Sequence, residues 1–328
     1  MNRPGWLAWI VAGWVLTAGV QADGYVSHPA YPTFEQRMVE EHGFSRDALR
    51  EWFGQAERKD SILEAISRPA EKRLTWGEYR NIFLTSSRIE GGIAFARAHR
   101  ALLDRAAEVY GVAPEIIVAI IGVETRYGGN MGSYRVIDAL ATLSFDYPPR
   151  ASFFGGQLEQ YLIMTREQGF DPLSLKGSYA GAMGMGQFIP GSFRSFAVDF
   201  DQDGQADIWA NEADAIGSVA NYFAKHKWIK NAPVVARAAV IGEVDSSKLN
   251  TSLKPTLSAG ELASLGLASS VPLDDEERVS VMALEIEDGY EYWIGRHNFY
   301  VITRYNHSAM YAMAVYQLSA AIAAGLES

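Results

Sequence analysis

The chain has 328 residues, of which 48% are hydrophobic, so it can bury a large core in two or three domains. Its formal net charge of -10 argues against general binding to nucleic acid or to anionic membranes, because both require basic surface. It contains no cysteine, which excludes disulfides, thiolate catalysis and zinc-thiolate sites.

The first 22 residues have the features of a secretory signal peptide. Arg3 provides a weak positive charge, residues 6–19 form an apolar run, and Val20-Gln21-Ala22 offers a small-residue cleavage site. The run is shorter than the ~20 residues that a spanning helix needs, which favours a cleaved signal over a membrane anchor. Without a cysteine, no lipid anchor can form on a mature N-terminal Cys. We therefore expect a soluble, exported protein.

The region that follows is predicted to be mainly helical. Its apolar periodicity is interrupted at Gly43, Pro69 and the pair Gly91-Gly92. The helices are expected over 34–41, 45–56, 76–84 and about 88–110.

A carboxylate, Glu124, ends the otherwise apolar stretch Pro114–Val123. The proline suits the first turn of a helix, and Gly128-Gly129 suits its end. Glu124 lies seven residues after Ile117 and therefore shares the apolar face of this helix. Burying an unpaired carboxylate raises its pKa and keeps it protonated near neutral pH, as a general acid for glycosidic bond cleavage requires. The alternative is a helix-end Glu that faces solvent or pairs with Arg126.

A glycine-rich segment, residues 177–190, is the second informative feature. Its small residues let backbone groups approach a ligand closely, and Ser178 and Gln187 add polar groups to an apolar wall. It lacks the Gly-Lys-Ser/Thr of a phosphate loop. A tight contact between helices is the alternative interpretation.

An acidic loop begins at Asp199. Its first, third and fifth residues are Asp and its sixth is Gly, which is the first half of an EF-hand-like calcium loop. The twelfth position is Ala210 instead of the usual Glu, so Glu212 or Asp214 would have to complete the coordination. Because four acids this close repel one another without a cation, we expect a structural Ca²⁺. A solvated acidic loop is the alternative.

The composition then changes toward β structure. Strands are predicted over 234–241, 279–286 and 291–294, with one short capped helix over 258–266. We expect a small antiparallel module here. Two further helices are predicted, one over 213–225 before this module and one over 307–326 near the end of the chain.

An aromatic and polar run, residues 298–308, precedes that last helix and is followed by Tyr311. Aromatic faces with interleaved amides suit the apolar faces and hydroxyls of sugars. A strand packed into the core is the alternative.

Together these motifs closely resemble the B-type lytic murein transglycosylases. The resemblance covers nearly the whole mature chain and rests on 122–128 (GVETRYG), 139–145 (ALATLSF), 177–184 (GSYAGAMG), Gln187-Phe188 and 304–308 (RYNHS). It implies a mainly α (α+β) fold with a lysozyme-like catalytic core. The implied divisions are a signal peptide 1–22, a helical domain 23–110, the core with its calcium loop 111–232, a β-containing module 233–297 and a segment 298–328 that completes the cleft.

The resemblance also implies an activity. A carbon–oxygen lyase would cleave the MurNAc–GlcNAc β-1,4 bond of peptidoglycan without water, giving a 1,6-anhydroMurNAc product in the periplasm. Peptidoglycan glycan strands are the implied partners, with other cell-wall enzymes as a further class. No organic cofactor, nucleic acid or lipid anchor is expected.

Residue roles are carried over position by position. Glu124 resembles the single acid/base, with the substrate N-acetyl group assisting. The implied substrate-binding residues are Ser178, Gln187, Tyr222, Tyr305, Asn306, Tyr311, Tyr79 and Arg150. The implied calcium ligands are Asp199, Asp201, Asp203, the Gln205 carbonyl and Asp214.

Two alternatives stay open on the residues alone. A hydrolytic muramidase of goose-lysozyme type would use the same acid with water as the attacking group. A non-enzymatic peptidoglycan-binding scaffold would leave Glu124 with a structural role.

Overall fold

A computed structural model describes residues 24–67 and 74–327. The predicted signal peptide lies outside the described residues. Helices dominate the described chain, as predicted. They are α1 Tyr31–Glu40, α2 Arg46–Gln55, α3 Asp60–Ser67, α4 Trp76–Phe83, α5 Ser86–Ala98, α6 Arg100–Tyr110, α7 Pro114–Thr125, α8 Val136–Phe145, α9 Ala151–Gln168, α10 Pro190–Phe196, α11 Glu212–Lys225, α12 His297–Tyr305 and α13 Ala309–Glu327.

The strands form two antiparallel sheets. A two-stranded ribbon pairs β1 with β2, and a five-stranded sheet has the order β4-β6-β7-β3-β5. The strands are β1 Tyr134–Arg135, β2 Lys176–Gly177, β3 Val235–Val240, β4 Leu257–Ser258, β5 Leu267–Ser269, β6 Arg278–Ile286 and β7 Gly289–Gly295. The small antiparallel module predicted after residue 233 is therefore present, and the mainly α fold with a small sheet is confirmed.

One local prediction needs correction, one alternative is excluded and one prediction is refined. The long helix expected over 88–110 is two helices, because His99 leaves the helical conformation and its ring packs on Phe95 at 4.4 Å. The aromatic run is helix α12 rather than the strand considered as its alternative. Its buried residues at 298, 299, 301, 302 and 303 follow a helical repeat. The capped segment Ala259–Leu265 is a 3-10 helix, although its Ser258–Glu261 capping box is present.

Two apolar cores meet at the centre of the molecule. One gathers α5, α6, α7, α11, α12 and α13, and the other gathers α1, α2, α8, α9 and the glycine-rich segment. Tyr305 packs against both cores. The sheet has a third, smaller core of its own, but Val235 and Trp293 from its strands pack into the first core.

Helix α13 is long and apolar, with 19 residues and a mean hydropathy of 1.4, enough by length and composition to cross a membrane. Its residues Tyr311 to Val315 are all buried in the first core, packed against α7 and α5. Its hydrophobicity is therefore explained by its position in the protein interior.

Candidate active site

Helix α7 carries Glu124 on its last turn. All residues from Ile116 to Val123 are buried, and Glu124 is half-buried. The helix ends because Arg126 and Tyr127 adopt left-handed conformations, with φ of 53° and 60°. The carboxyl group is therefore presented at the C-terminal end of a rigid apolar helix.

The end of α7 is held by a buried arginine from α5. Arg88 is 7% exposed, and its Nη1 donates to the carbonyl oxygens of Gly122 at 2.6 Å and Val123 at 3.3 Å. The Gly122 carbonyl also accepts the Arg126 amide at 3.1 Å, and a cation at the C-terminal end of a helix complements the helix dipole. Arg88 therefore stabilises the turn that carries Glu124.

Glycine is required where α7 meets Tyr127. A Cβ atom on Gly122 would lie 2.6 Å from the Tyr127 hydroxyl oxygen, and one on Gly92 of α5 would lie equally close. The Tyr127 hydroxyl donates to the Arg88 carbonyl at 2.7 Å. The sequence Gly-Val-Glu-Thr-Arg-Tyr thus encodes a tight turn as well as an acid.

The Glu124 carboxyl meets a tyrosine hydroxyl from the far end of the chain. Tyr311 Oη donates to Glu124 Oε1 at 2.5 Å. Burial raises the pKa of Glu124 to about 7, and the hydrogen bond from Tyr311 opposes part of that rise. The partner is Tyr311 and not Arg126, whose side chain is exposed. The direction of this shift is the one expected from the sequence for a carboxyl group at the end of a buried apolar helix.

Two more tyrosines lie within electrostatic range of Glu124. Burial, and secondarily the negative charge of Glu124, raise the pKa of Tyr79 and of Tyr305. Tyr79 packs on the Phe83 ring at 5.1 Å. The Tyr305 hydroxyl donates to the Gly186 carbonyl at 2.5 Å. Tyrosines from α4, α12 and α13 therefore lie close enough to the carboxyl group to feel its charge.

The described residues bring no second carboxylate to this site. Asp138 is buried but accepts two hydrogen bonds from the Arg135 guanidinium and one from the Glu57 amide. Asp146 accepts from the Tyr25 hydroxyl at 2.7 Å. Both acids are engaged at the packing surface of the N-terminal helices.

The glycine-rich segment folds back on itself through Ser178. Its Oγ accepts the amide N–H of Ala182 at 3.0 Å and of Ala180 at 3.3 Å. Gln187, at a φ of 52°, donates its side-chain amide to the carbonyls of Gly184 at 2.9 Å and Met131 at 3.3 Å. Both side chains are half-buried. The Ser178 hydroxyl hydrogen and the Gln187 Oε1 have no partner among the described residues.

Glycines of this segment face the protein interior. Gly184 has a φ of 67°, and a Cβ there would lie 2.6 Å from the Ile208 carbonyl oxygen. A Cβ on Gly186 would lie 2.8 Å from the Tyr305 hydroxyl. Close packing against Ile208 and Tyr305 therefore accounts for these two positions, but it is not the contact between helices considered as the alternative, because residues 177–189 form turns and short β-bridges.

The remaining predicted contact residues differ in exposure. Tyr222 is buried, stacks on His226 at 4.1 Å and donates to the Arg304 carbonyl at 2.5 Å. Asn306 is exposed directly after α12. Arg150 is exposed above the Phe153 ring at 4.4 Å. Of these three, the structure leaves Asn306 and Arg150 accessible to a large ligand.

The acidic loop brings three predicted ligands together. One carboxylate oxygen each from Asp199, Asp201 and Asp203 lies within 4.8 Å of the others. The loop is held by the Gly204 amide, which donates to Asp199 at 2.8 Å, and by Asn211, which donates to Asp201 at 2.8 Å. Oxygen donors at this spacing fit a hard cation such as Ca²⁺.

Asp214, another predicted ligand, does not belong to this cluster of three carboxylates. It is fully buried, and its two oxygens accept the amides of Phe200 at 2.6 Å and Asp207 at 2.7 Å. Burial raises its pKa, and the charges of Asp201 and Asp199 add to the effect. The Gln205 side chain bonds to the end of α9, and its carbonyl accepts no hydrogen bond from the described residues.

The sequence pattern did not reveal the contacts of two buried residues next to the site, Arg88 and Thr125, whose hydroxyl donates to the Met185 carbonyl at 2.9 Å. Arg88 lies on a helix predicted from periodicity, and its burial depends on tertiary packing. Thr125 follows the acid directly, and a hydroxyl next to a catalytic candidate is the signal that would have marked it.

A mainly α, lysozyme-like architecture with this small sheet is the architecture of the lytic transglycosylases. The model of the transglycosylase SLT domain family matches residues 27–320, and the chain belongs to that family. It is an enzyme that cleaves peptidoglycan.

Named relatives agree with this assignment. The chain is 46% identical to membrane-bound lytic murein transglycosylase B of Escherichia coli, over 91% of this chain and 84% of the relative. Soluble lytic transglycosylase SltB1 of Pseudomonas aeruginosa is 52% identical, with a TM-score of 0.88 and coverage of 92% and 100%. Escherichia coli Slt35, solved in complex with calcium, is 45% identical, with a TM-score of 0.86 and coverage of 95% and 99%.

A more distant relative was solved with a bound ligand that contains a peptide. SltB3 of Pseudomonas aeruginosa, in complex with NAG-NAM-pentapeptide, is 31% identical with a TM-score of 0.80, and the match covers 89% of this chain and 78% of that one.

Proposed function

We propose that the chain cleaves the MurNAc–GlcNAc β-1,4 bond non-hydrolytically, with Glu124 as its single acid and base. The observation that carries the proposal is the state of that carboxyl group. It is half-buried at the end of an apolar helix, its pKa is raised to about 7, and its hydrogen-bond partner is a tyrosine. A general acid works best when its pKa lies near the working pH.

In the first step Glu124 donates its proton to the glycosidic oxygen. The C1–O4 bond breaks, and its electron pair leaves with the GlcNAc oxygen. Most glycosidases use a second carboxylate at this point, but substrate assistance is a known exception. Here the carbonyl oxygen of the MurNAc 2-acetamido group attacks C1 and forms an oxazolinium ion. The absence of a second carboxylate near Glu124 among the described residues supports this route.

In the second step the Glu124 carboxylate removes the proton of the MurNAc C6 hydroxyl. O6 attacks C1, the bond from C1 to the acetamido oxygen breaks, and the 1,6-anhydro ring closes. Glu124 is then protonated again, and no water is consumed. The hydrogen bond from Tyr311 to Oε1 stabilises the carboxylate between the two steps.

The glycine-rich segment, residues 177–190, forms a wall of the proposed site and supplies groups that can orient the substrate. The Ser178 oxygen already accepts two backbone amides, so its hydroxyl hydrogen points elsewhere and can be donated to the acetamido carbonyl. The Gln187 amide hydrogens are both engaged, which leaves Oε1 as an acceptor for a sugar hydroxyl. Tyr79, Tyr305, Tyr311, Asn306 and Arg150 complete the proposed set of substrate contacts. The buried Tyr222 would support them by packing on the Tyr305 ring at 4.7 Å.

The proposal is tested by analysing the products that the protein releases from purified sacculi. The expected outcome is release of anhydro-muropeptides, each lighter by one water than the hydrolytic product, as measured by mass spectrometry. Muropeptides with a free reducing end would instead identify a hydrolytic muramidase. No soluble product at all would favour a peptidoglycan-binding scaffold.

We also propose that the acidic loop binds Ca²⁺ as a structural ion. Asp199, Asp201 and Asp203 would supply side-chain oxygens, with the Gln205 carbonyl and Asp214 as further ligands. The clustering of three carboxylates supports this, because their mutual repulsion is relieved by a cation. We further propose that the protein works in the periplasm and that its domains divide at residues 22, 110, 232 and 297.

Calcium should raise the melting temperature of the protein. A ligand that binds only the folded state stabilises it by about 2.7 kcal/mol at a hundred times its dissociation constant. Thermal melts with and without millimolar Ca²⁺ measure the shift. The double variant Asp201→Asn/Asp203→Asn should show no shift, because two of the charged ligands are lost. An unchanged melting temperature in the wild-type protein would contradict the calcium site.

A further inference from the structure

Three elements hold the backbone of two consecutive residues, Met185 and Gly186, in the glycine-rich wall. The Met185 amide donates to the Ile208 carbonyl at 2.9 Å, at the end of the acidic loop. The Thr125 hydroxyl donates to the Met185 carbonyl at 2.9 Å. The Tyr305 hydroxyl donates to the Gly186 carbonyl at 2.5 Å. The position of this wall is therefore set by hydrogen bonds from outside it.

Of these three hydrogen bonds, the one from Thr125 connects the wall directly to the acid, because Thr125 follows Glu124 on α7. Its side chain is 1% exposed. Its oxygen lies 2.9 Å from the Met185 carbonyl oxygen and 3.1 Å from that of Ile121. The hydroxyl has a single hydrogen to donate. Ile121 already receives the amide of Tyr127 at 3.3 Å, whereas the donor that the structure gives to the Met185 carbonyl is Thr125.

The same hydroxyl also shapes the turn after the acid. Thr125 Oγ1 accepts the Gly128 amide at 3.0 Å, and the Thr125 carbonyl accepts the Asn130 amide at 2.8 Å. Because the oxygen both donates and accepts, loss of the hydroxyl releases the wall on one side and the turn on the other.

We propose that Thr125 is a positioning residue for the reaction, whose hydroxyl fixes the separation between the Glu124 carboxyl group and the wall that ends in Gln187. The inference rests on the proposed function of Glu124. A sugar held by the wall has to place its glycosidic oxygen within hydrogen-bond reach of the acid. A displacement of about 1 Å can cost about a hundredfold in rate.

Removal of the hydroxyl should therefore lower turnover more than binding. For Thr125→Val, we expect a fall in kcat of about 10- to 100-fold with KM changed by less than about twofold. Thr125→Ser keeps the donor and should recover kcat to within about threefold of the wild type. Thr125→Ala is a second variant without the donor and should behave like Thr125→Val.

Thr165 offers a matched control. It is also 1% exposed, and its hydroxyl donates to a backbone carbonyl, that of Leu162 at 2.9 Å, but within its own helix α9. Thr165→Val should lower the melting temperature about as much as Thr125→Val does. Its kcat should stay within about twofold of the wild type. The comparison separates loss of stability from loss of positioning.

Kinetics with soluble peptidoglycan fragments, melting temperatures and the Glu124→Gln variant complete the experiment. Thr125→Val and Thr125→Ala with wild-type kcat would overturn the inference. So would an equal fall in kcat for Thr165→Val, or a Thr125→Ser variant as slow as Thr125→Val. If Glu124→Gln keeps its turnover, the proposed function itself fails. If Glu124→Gln is inactive while Thr125→Val is fully active, only the positioning role fails.

Discussion

Replacing Glu124 by Gln should lower the release of anhydro-muropeptides by about a thousandfold or more. General acid–base catalysis contributes typically 10²- to 10⁴-fold to one proton transfer, and in the proposed mechanism the same carboxyl group serves both steps. Glutamine has nearly the same shape and can still accept the Tyr311 hydroxyl. Fold and glycan binding should therefore be retained. Mass spectrometry of digested sacculi measures turnover, and co-sedimentation with sacculi measures binding.

A second glutamate on the same helix provides the control. Glu115 lies in the first turn of α7, at the opposite end from the candidate site. Glu115→Gln should leave the release of anhydro-muropeptides within about twofold of the wild type. Substantial release by Glu124→Gln would contradict the assignment of the acid. Loss of binding together with loss of turnover would point to misfolding instead.

The position of Glu124 at the end of an apolar helix could be predicted from the sequence, because the residues that form this helix are close to it in the chain. Glu124 follows an apolar run on the same helix, and that run is what buries it. The acidic loop was equally visible, since Asp199, Asp201 and Asp203 lie at alternate positions of one short segment. Features that depend on residues close in sequence can be recognised from composition and spacing.

The supports of the site could not be predicted in this way. Tyr311 is 187 residues from Glu124 in sequence, and only the packing of α13 on α7 brings their side chains together. The resemblance to a family pointed to Tyr311, but its hydrogen bond to the acid needed the structure. Arg88 illustrates the same limit, because a buried arginine that caps carbonyls of another helix looks like an ordinary helical residue in the sequence.

The glycine-rich composition of residues 177–190 could not distinguish a ligand-binding wall from a packing contact, and the reason is physical. A missing side chain leaves room on both faces of a segment, and the sequence does not say which face is used. At Gly184 and Gly186 the room is filled by Ile208 and Tyr305 from the protein interior. The polar side chains of Ser178 and Gln187, rather than these glycines, therefore carry the proposed contact with substrate.

Because the pKa of Glu124 is raised in the folded state, the stability of the protein should also depend on pH. Burial raises the pKa of Glu124 from 4.5 to about 7. A carboxyl group with a higher pKa in the folded state binds its proton more tightly when folded. Its contribution to stability is complete below about pH 4.5 and is lost as the pH rises through about 7. The loss amounts to about 2 to 3 kcal/mol, at 1.36 kcal/mol per unit of pKa and with some reduction because the group is only half-buried.

Glu124→Gln removes this titration, so the two proteins should differ in stability at high pH but not at low pH. At pH 5 the protonated wild type and the variant should unfold at similar denaturant concentrations, since the two side chains are close in shape and both neutral. At pH 8 the variant should be more stable by about 2 to 3 kcal/mol, because the wild type then carries a buried charge. Urea unfolding at both pH values measures the difference. Parallel pH dependence in the two proteins would show that Glu124 is already ionised and well solvated in the folded state, and the acid would lose the property that suits it to donate a proton at neutral pH.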